Sequence, residues 1–103
     1  MILVNTETIP GKTLHQSLGL VSGSTIRAKN FINDLGAGFK NLIGGELRSY
    51  TELLEESRKE ATDRMIAQAE GKGANAIVCV RYSTSSIASG AAEIYVYGTA
   101  VKI

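Results

Sequence analysis

From about Glu46 to Lys72 the chain holds one unbroken helical period, with glycines at both ends. Tyr50, Leu53, Leu54, Ala61, Met65, Ile66 and Ala69 form an apolar stripe, and charged residues fill the opposite side. Gly44-Gly45 stands before this run. Gly71 and Gly73 stand at its end, where residues without a Cβ commonly stop a helix. Directly afterwards, Gly73-Ala74-Asn75-Ala76-Ile77-Val78 passes into an apolar run of strand character. A helix this long with one apolar stripe needs an apolar surface to lie on. The strands around it are the element that can supply one.

The remaining elements follow from the same reading. Ile2 to Asn5 is a short strand, and Ile9-Pro10-Gly11-Lys12 a turn. Thr13 to Ile26 is a strand broken by Gly19 and Gly23, which mark bulges or a close backbone approach. Asn30 caps a first helix running to about Ile43, whose face is Phe31, Leu35, Phe39 and Leu42. Gly36 and Gly38 sit inside it at a cost of up to ~1 kcal/mol each, so a second backbone packing there would explain them. Ala74 to Tyr82 is a strand, with Ala76, Val78, Val80 and Tyr82 pointing one way and Ile77, Cys79 and Arg81 the other. Ser83 to Ala91 is small and polar and reads as a loop, and Ala92 to Val101 is the last strand.

The expected fold is therefore one α+β domain over residues 1–103: an antiparallel sheet packed with two helices, in the order β-β-α-α-β-β. Both faces of the last two strands are largely apolar or aromatic, whereas a sheet with one wet face alternates apolar with polar. Two helices cover one face. The other calls for a partner, and a second copy of the chain is the expected one, giving a cyclic homo-oligomer.

The chemistry is narrower than the architecture. With 20% charged residues and a net charge of +1, nothing calls for a nucleic acid or an anionic membrane. No apolar run approaches the ~20 residues needed to span a bilayer, and Met1-Ile2-Leu3-Val4 is too short for a signal segment, so a soluble cytoplasmic chain is expected. Cys79 is the only cysteine and His15 the only histidine. One of each cannot build a structural zinc site, which takes four nitrogen or sulfur ligands. Cys79 lies among apolar neighbours and reads as a packed thiol, not a nucleophile. Asp34, Glu46, Glu52 and Glu93 form no dense acidic loop, although carboxylates of several subunits can converge at a symmetry axis. Gly36-Ala37-Gly38 and Gly71-Lys72-Gly73 lack the third glycine of a dinucleotide fingerprint. Tyr82, Tyr95 and Tyr97 read as cross-strand packing. No catalytic motif is present, so an enzyme is not expected. No cofactor is called for, and a metal ion of unknown ligands stays open.

Several short stretches, in order and at fixed spacing, resemble one family of bacterial proteins. They are Gly19-Leu20-Val21-Ser22-Gly23, Asp34 with Ala37-Gly38, Gly44-Gly45 with Tyr50, Arg58 with Ala61, Gly73-Ala74-Asn75-Ala76-Ile77-Val78, and Gly98-Thr99-Ala100-Val101. The family is the YbjQ-like one, uncharacterised and labelled heavy-metal-binding. The resemblance implies a compact α+β subunit of a homopentamer. The chain departs from the pattern at Glu46, where relatives carry arginine, at Cys79, where glycine is common, and at Arg81, which replaces an acidic residue. The expected function is a homo-oligomeric module binding a metal ion or small ligand at subunit boundaries. Asp34, Glu46, Tyr50 and Arg58 are its candidate ligand residues, and Gly36, Gly38, Gly44, Gly45, Gly73 and Asn75 its packing residues. The alternatives are a purely structural or protein-interaction assembly and, third, an enzyme with a site between subunits.

Overall fold

The structure, a computed structural model, describes residues 1–27, 48–88 and 91–103, with helix side chains from Thr51 onward. In chain order its elements are β1 (Ile2–Leu3), β2 (Gln16–Arg27), α1 (Arg48–Gly71), β3 (Ala76–Ala88) and β4 (Ala91–Lys102). The strands form one sheet in the order β1-β3-β4-β2. Helix α1 lies on one face, packing Ala61, Met65 and Ala69 against Val21, Ile77, Val80, Ile94, Val96 and Ala100.

This corrects the expected architecture. β1 runs parallel to β3 through Ile2↔Ala76 and Leu3↔Ile77, so the sheet is mixed and not antiparallel. The described residues hold one helix, not two, in the order β-β-α-β-β. The helix expected over residues 30–43, and Gly44-Gly45 after it, lie outside the described residues. A four-residue apolar run announces a strand but not its direction. That direction is set by a partner more than 70 residues away, with β2 and α1 supplying the long crossover that parallel neighbours require.

The expected loop after Tyr82 is also overturned. β3 continues to Ala88, pairing Ser83↔Tyr95, Thr84↔Ile94, Ser85↔Glu93 and Ser86↔Ala92. Small hydroxyl side chains carry no apolar alternation, yet the backbone ladder to β4 extends past them while they stay exposed.

Two glycines let the layers approach. A Cβ on Gly23 would overlap the Ala61 carbonyl and stand 2.6 Å from the Met65 amide nitrogen. The backbone of α1 therefore crosses β2 at this position, as the sequence reading allowed. Gly19, at φ +97°, sits at a register shift of β2 against β4, the other expected irregularity. At the far end of α1, Gly73 takes φ +82°. The Ala74 amide donates to Ala69 O at 3.1 Å and the Gly73 amide to Glu70 O at 3.0 Å. That paired closure is the Schellman motif, and it explains why a glycine ends the helix there.

A bulge in β3 redirects its side chains. Val78 faces Thr99 and Arg81 faces Tyr97, so Cys79 and Val80 together stand opposite Gly98. Cys79 takes φ +55°. Val80 turns to the helix side, joining Ile77 in the core, and Tyr82 follows it, opposite Val96. Strict alternation, with Val80 and Tyr82 sharing the side of Ala76 and Val78, fails at this single extra residue.

Candidate functional site

The side of the sheet away from α1 divides into two halves. One half is covered by the chain's own first residues. Ile9 is buried there against Ala76, Val78 and Val101, with Val4, Leu14, Cys79 and Ile103 around it. The Cys79 amide donates to Thr6 O at 3.0 Å, which ties that covering segment to the bulge.

The other half forms cross-strand rows that follow from the register. One row is Ser22, Tyr97 and Arg81; the next is Ser24, Tyr95 and Ser83; the last is Ile26, Glu93 and Ser85. Leu20 opens the series beside Thr99. The rings of Tyr95 and Tyr97 lie 5.7 Å apart at 30° on the same strand. They pack along β4. Tyr82, expected to join them, is on the opposite side of the sheet, where its hydroxyl shares a 2.9 Å hydrogen bond with Thr62 Oγ1. Leu20 is 66% exposed, Ile26 57% and Tyr97 38%. Arg81 is fixed at the margin of this half, donating through Nη1 to Asn5 O at 2.7 Å and Val80 O at 3.0 Å. The arrangement is a shallow platform with aromatic and aliphatic bodies set between hydroxyls. It can bury against another surface, but it concentrates no acid, base or nucleophile.

A second cluster lies where α1 meets β2. Thr25 Oγ1 donates to Ser57 O at 3.0 Å in a buried setting. Arg27 donates to Ser57 Oγ at 2.9 Å and to Glu60 Oε2 at 3.0 Å. Glu60 also accepts from Arg64 at 2.7 Å. Glu60 and Arg64 are four residues apart on α1, a spacing at which such pairs meet. Lys59 pairs in the same way with Asp63 at 2.8 Å. The hydrogen bond from Lys59 to that carboxylate, and then its charge, raise the ammonium pKa above its ordinary value. The sequence reading took Glu60 and Arg64 as a solvated face. Their role as a bridge to Arg27 was not legible, because Arg27 is 33 residues from Glu60 and shows no helical spacing with it.

A hollow of about 300 Å³ is lined by Leu3, Val4, Asn5, Val80 and Tyr82, and one of about 320 Å³ by Met1, Ile66, Glu70, Ala74 and Asn75. Neither gathers a set of ionisable groups. Among the described residues no three His, Cys, Asp or Glu side chains converge. Cys79 packs in the apolar cluster under Ile9, and His15 is exposed ahead of β2. A soft metal ion favours thiolate and imidazole together, and the described residues do not offer that set.

Of the sequence-derived ligand residues, Asp34 and Glu46 lie outside the described residues, as does the side chain of Tyr50. Arg58 is exposed on α1. Of the packing residues, Gly36, Gly38, Gly44 and Gly45 are likewise outside. Gly73 closes α1. Asn75 clasps Ile103 through two bonds, Nδ2 donating to Ile103 O at 3.0 Å and Oδ1 accepting from the Ile103 amide at 2.8 Å. No helix among the described residues is long and apolar enough to cross a membrane.

Known proteins resemble this chain in sequence and in fold. A UPF0145 protein of Hahella chejuensis is 60% identical over 101 residues, covering 98% of this chain and 97% of that one. A UPF0145 protein of Acinetobacter baylyi is 61% identical over 95 residues, covering 92% and 88%. A UPF0145 protein of Dehalococcoides mccartyi is 52% identical over 103 residues, covering 100% and 99%. A crystal structure of a protein of unknown function from Pediococcus pentosaceus, assigned to the DUF74 family, superposes with a TM-score of 0.65 at 16% identity, covering 100% of this chain and 97% of that one, and shares the fold. The YbjQ family model, described as "Putative heavy-metal-binding", matches residues 1–103, and the chain belongs to that family.

Proposed function

We propose that the chain is a self-assembling binding module and not an enzyme, working in the cytoplasm as a closed homopentamer. The observation that supports this most is the half-covered platform, where Leu20, Ile26 and Tyr97 stand exposed in register beside Tyr95. Burying aliphatic and aromatic side chains of this size against a neighbouring copy stabilises by roughly 1.5–3 kcal/mol each when complete. In a ring, the platform of one copy docks on a different surface of the next, so every interface is the same and none is left over. The ligand, a metal ion in line with the family's description as heavy-metal-binding or else a small ligand, is held where copies meet. Asp34, Glu46, Tyr50 and Arg58 are the residues proposed for it.

Native mass spectrometry from a mild buffer tests both parts. A mass of five chains with a retained ion supports the reading. A monomer at micromolar concentration overturns it. A second reading has its own support: no three metal-ligand side chains converge among the described residues. Five chains with no retained mass, and no binding of zinc by titration calorimetry, would favour a purely structural assembly.

A further inference from the structure

Sheets end in strands whose outer backbone groups lack a ladder partner, and such edges recruit further strands. This sheet has two edges, β1 and β2. β1 is two residues long, which protects it by leaving little to pair with. β2 has twelve residues, and among the described residues no strand pairs with its outer side. It carries no lysine and no proline, the residues that commonly guard an edge. Leu20 and Ile26 stand exposed near its two ends, so an incoming strand would find apolar side chains beside the open backbone.

Helix α1 reaches over this edge at two points. The Ser22 amide donates to Gln68 Oε1 at 2.7 Å, and Arg64 Nη1 donates to Ser24 O at 2.6 Å. Both backbone groups point away from β4, the direction a further strand would approach from. The match is metric. Gln68 and Arg64 are four residues apart on a helix, a rise of about 6 Å. Ser22 and Ser24 are two residues apart on a strand, about 6.6 Å. The helix comes close enough to do this because Gly23, between the two serines, has no side chain to hold it off. Arg64 is held in place by Glu60 at 2.7 Å, and Glu60 by Arg27 at 3.0 Å, so the arm over Ser24 is anchored back to β2 itself.

We infer that Arg64 and Gln68 are a built-in plug on the open edge of β2: they occupy hydrogen-bonding positions that the β2 strand of a second copy would otherwise use, and so prevent edge-to-edge pairing of two copies. The plug is separate from any assembly through the sheet face. A ring built on the platform leaves the edge plugged, whereas β2 pairing joins copies two at a time through one shared edge.

The test is the double variant Arg64→Ala with Gln68→Ala in the full chain, beside Arg64→Lys with Gln68→Glu, which keeps a donor and an acceptor at the two points. Hydrogen exchange follows the Ser22 amide, far-UV circular dichroism the fold, and light scattering the association. In the alanine pair the Ser22 amide exchanges roughly five- to tenfold faster, as loss of one hydrogen bond implies. The mass then rises to at least twice that of the parent, while the conservative pair stays at the parent level. Adding Ser22→Pro to the alanine pair, which removes the donor another strand needs, returns association to that level. If the alanine pair does not fold, Gln68→Ala alone is read by the same measurements. A folded variant with a faster Ser22 amide and unchanged mass overturns the inference, as does a mass increase that Ser22→Pro fails to reverse. The parent's own mass, whether one chain or five, is the baseline and decides neither outcome.

Discussion

On the helix side of the sheet the strands present Gly23, Val96, Gly98 and Ala100, and α1 answers with Ala61, Met65 and Ala69. On the other side, beyond the reach of Ile9, they present Leu20, Ile26, Tyr95 and Tyr97 among serines, and among the described residues no helix lies over them. On the first side Gly23 brings two backbones together, and Met65 packs among the valines and isoleucines of the strands. Large residues on the second side spread outward between hydroxyls. Close packing makes the first side intolerant of any change in volume. The second side has no such constraint within one chain, and its residues answer to whatever docks there.

Removing volume from the first side should do the most. Met65 is fully buried between helix and sheet, and Met65→Ala should cost about 2–5 kcal/mol in urea unfolding. A cost below about 1 kcal/mol would mean that the two sides are packed alike. Adding volume comes next. Gly23→Ala must push α1 off β2 at Ala61 and Met65, costing about 1–3 kcal/mol. It should also loosen the Ser22 amide, because Gln68 is carried away with the helix. An alanine that raises the melting temperature would show that the approach is not close.

The second side should answer in mass and not in fold. Leu20→Ser with Ile26→Ser should leave circular dichroism unchanged and reduce the native mass to a single chain. An unchanged mass would remove the platform from the assembly. A smaller effect lies at the bulge between the two sides. Cys79 holds φ +55°, a conformation that costs a side-chain-bearing residue about 1–2 kcal/mol. Cys79→Gly relieves that cost but frees the unfolded chain and removes the thiol contacts, so a net gain of up to about 1 kcal/mol is expected. A loss instead would mean that the thiol's packing under Ile9 outweighs the backbone term.

The smallest effect belongs to Lys59, fully exposed and paired with Asp63. Its folded pKa is raised, so its contribution is complete below the unfolded value of 10.5 and is lost as pH rises through the folded one. That contribution is present near neutral pH but small, because the pair is exposed, so Lys59→Met should change the melting temperature there by little. A clear drop there would place this exposed pair among the constraints on α1.

What could be read from the sequence was local and periodic. The stripe of α1, the stop at Gly73, the alternation of β4 and the special positions of Gly19 and Gly23 each show within a few residues. What could not be read depends on partners far along the chain. The direction of β1 is decided at Ala76 and Ile77, and the length of β3 by β4. One bulge at Cys79 reversed the side of Val80 and Tyr82, because strand faces have a period of two and carry no memory of an inserted residue. The seam of Arg27, Glu60, Arg64 and Gln68 joins a strand and a helix by side-chain ends, which leaves no pattern in either segment alone. Arg58 was read as a ligand residue from resemblance and lies exposed on α1, while Asp34 and Glu46 fall outside the described residues.

Asn75 also bears on the time course of folding. Its carbonyl accepts from the Ile2 amide, its amide donates to Val101 O, and its side chain clasps Ile103. One residue thus gathers segments from both extremes of the sequence. The β3–β4 hairpin and α1 can form from neighbours, but this junction waits for a loop of more than 70 residues to close. Such distant contacts slow a small domain. Refolding should therefore show helix signal early and protection of the Val4 amide, bonded to Ile77 O, among the last events.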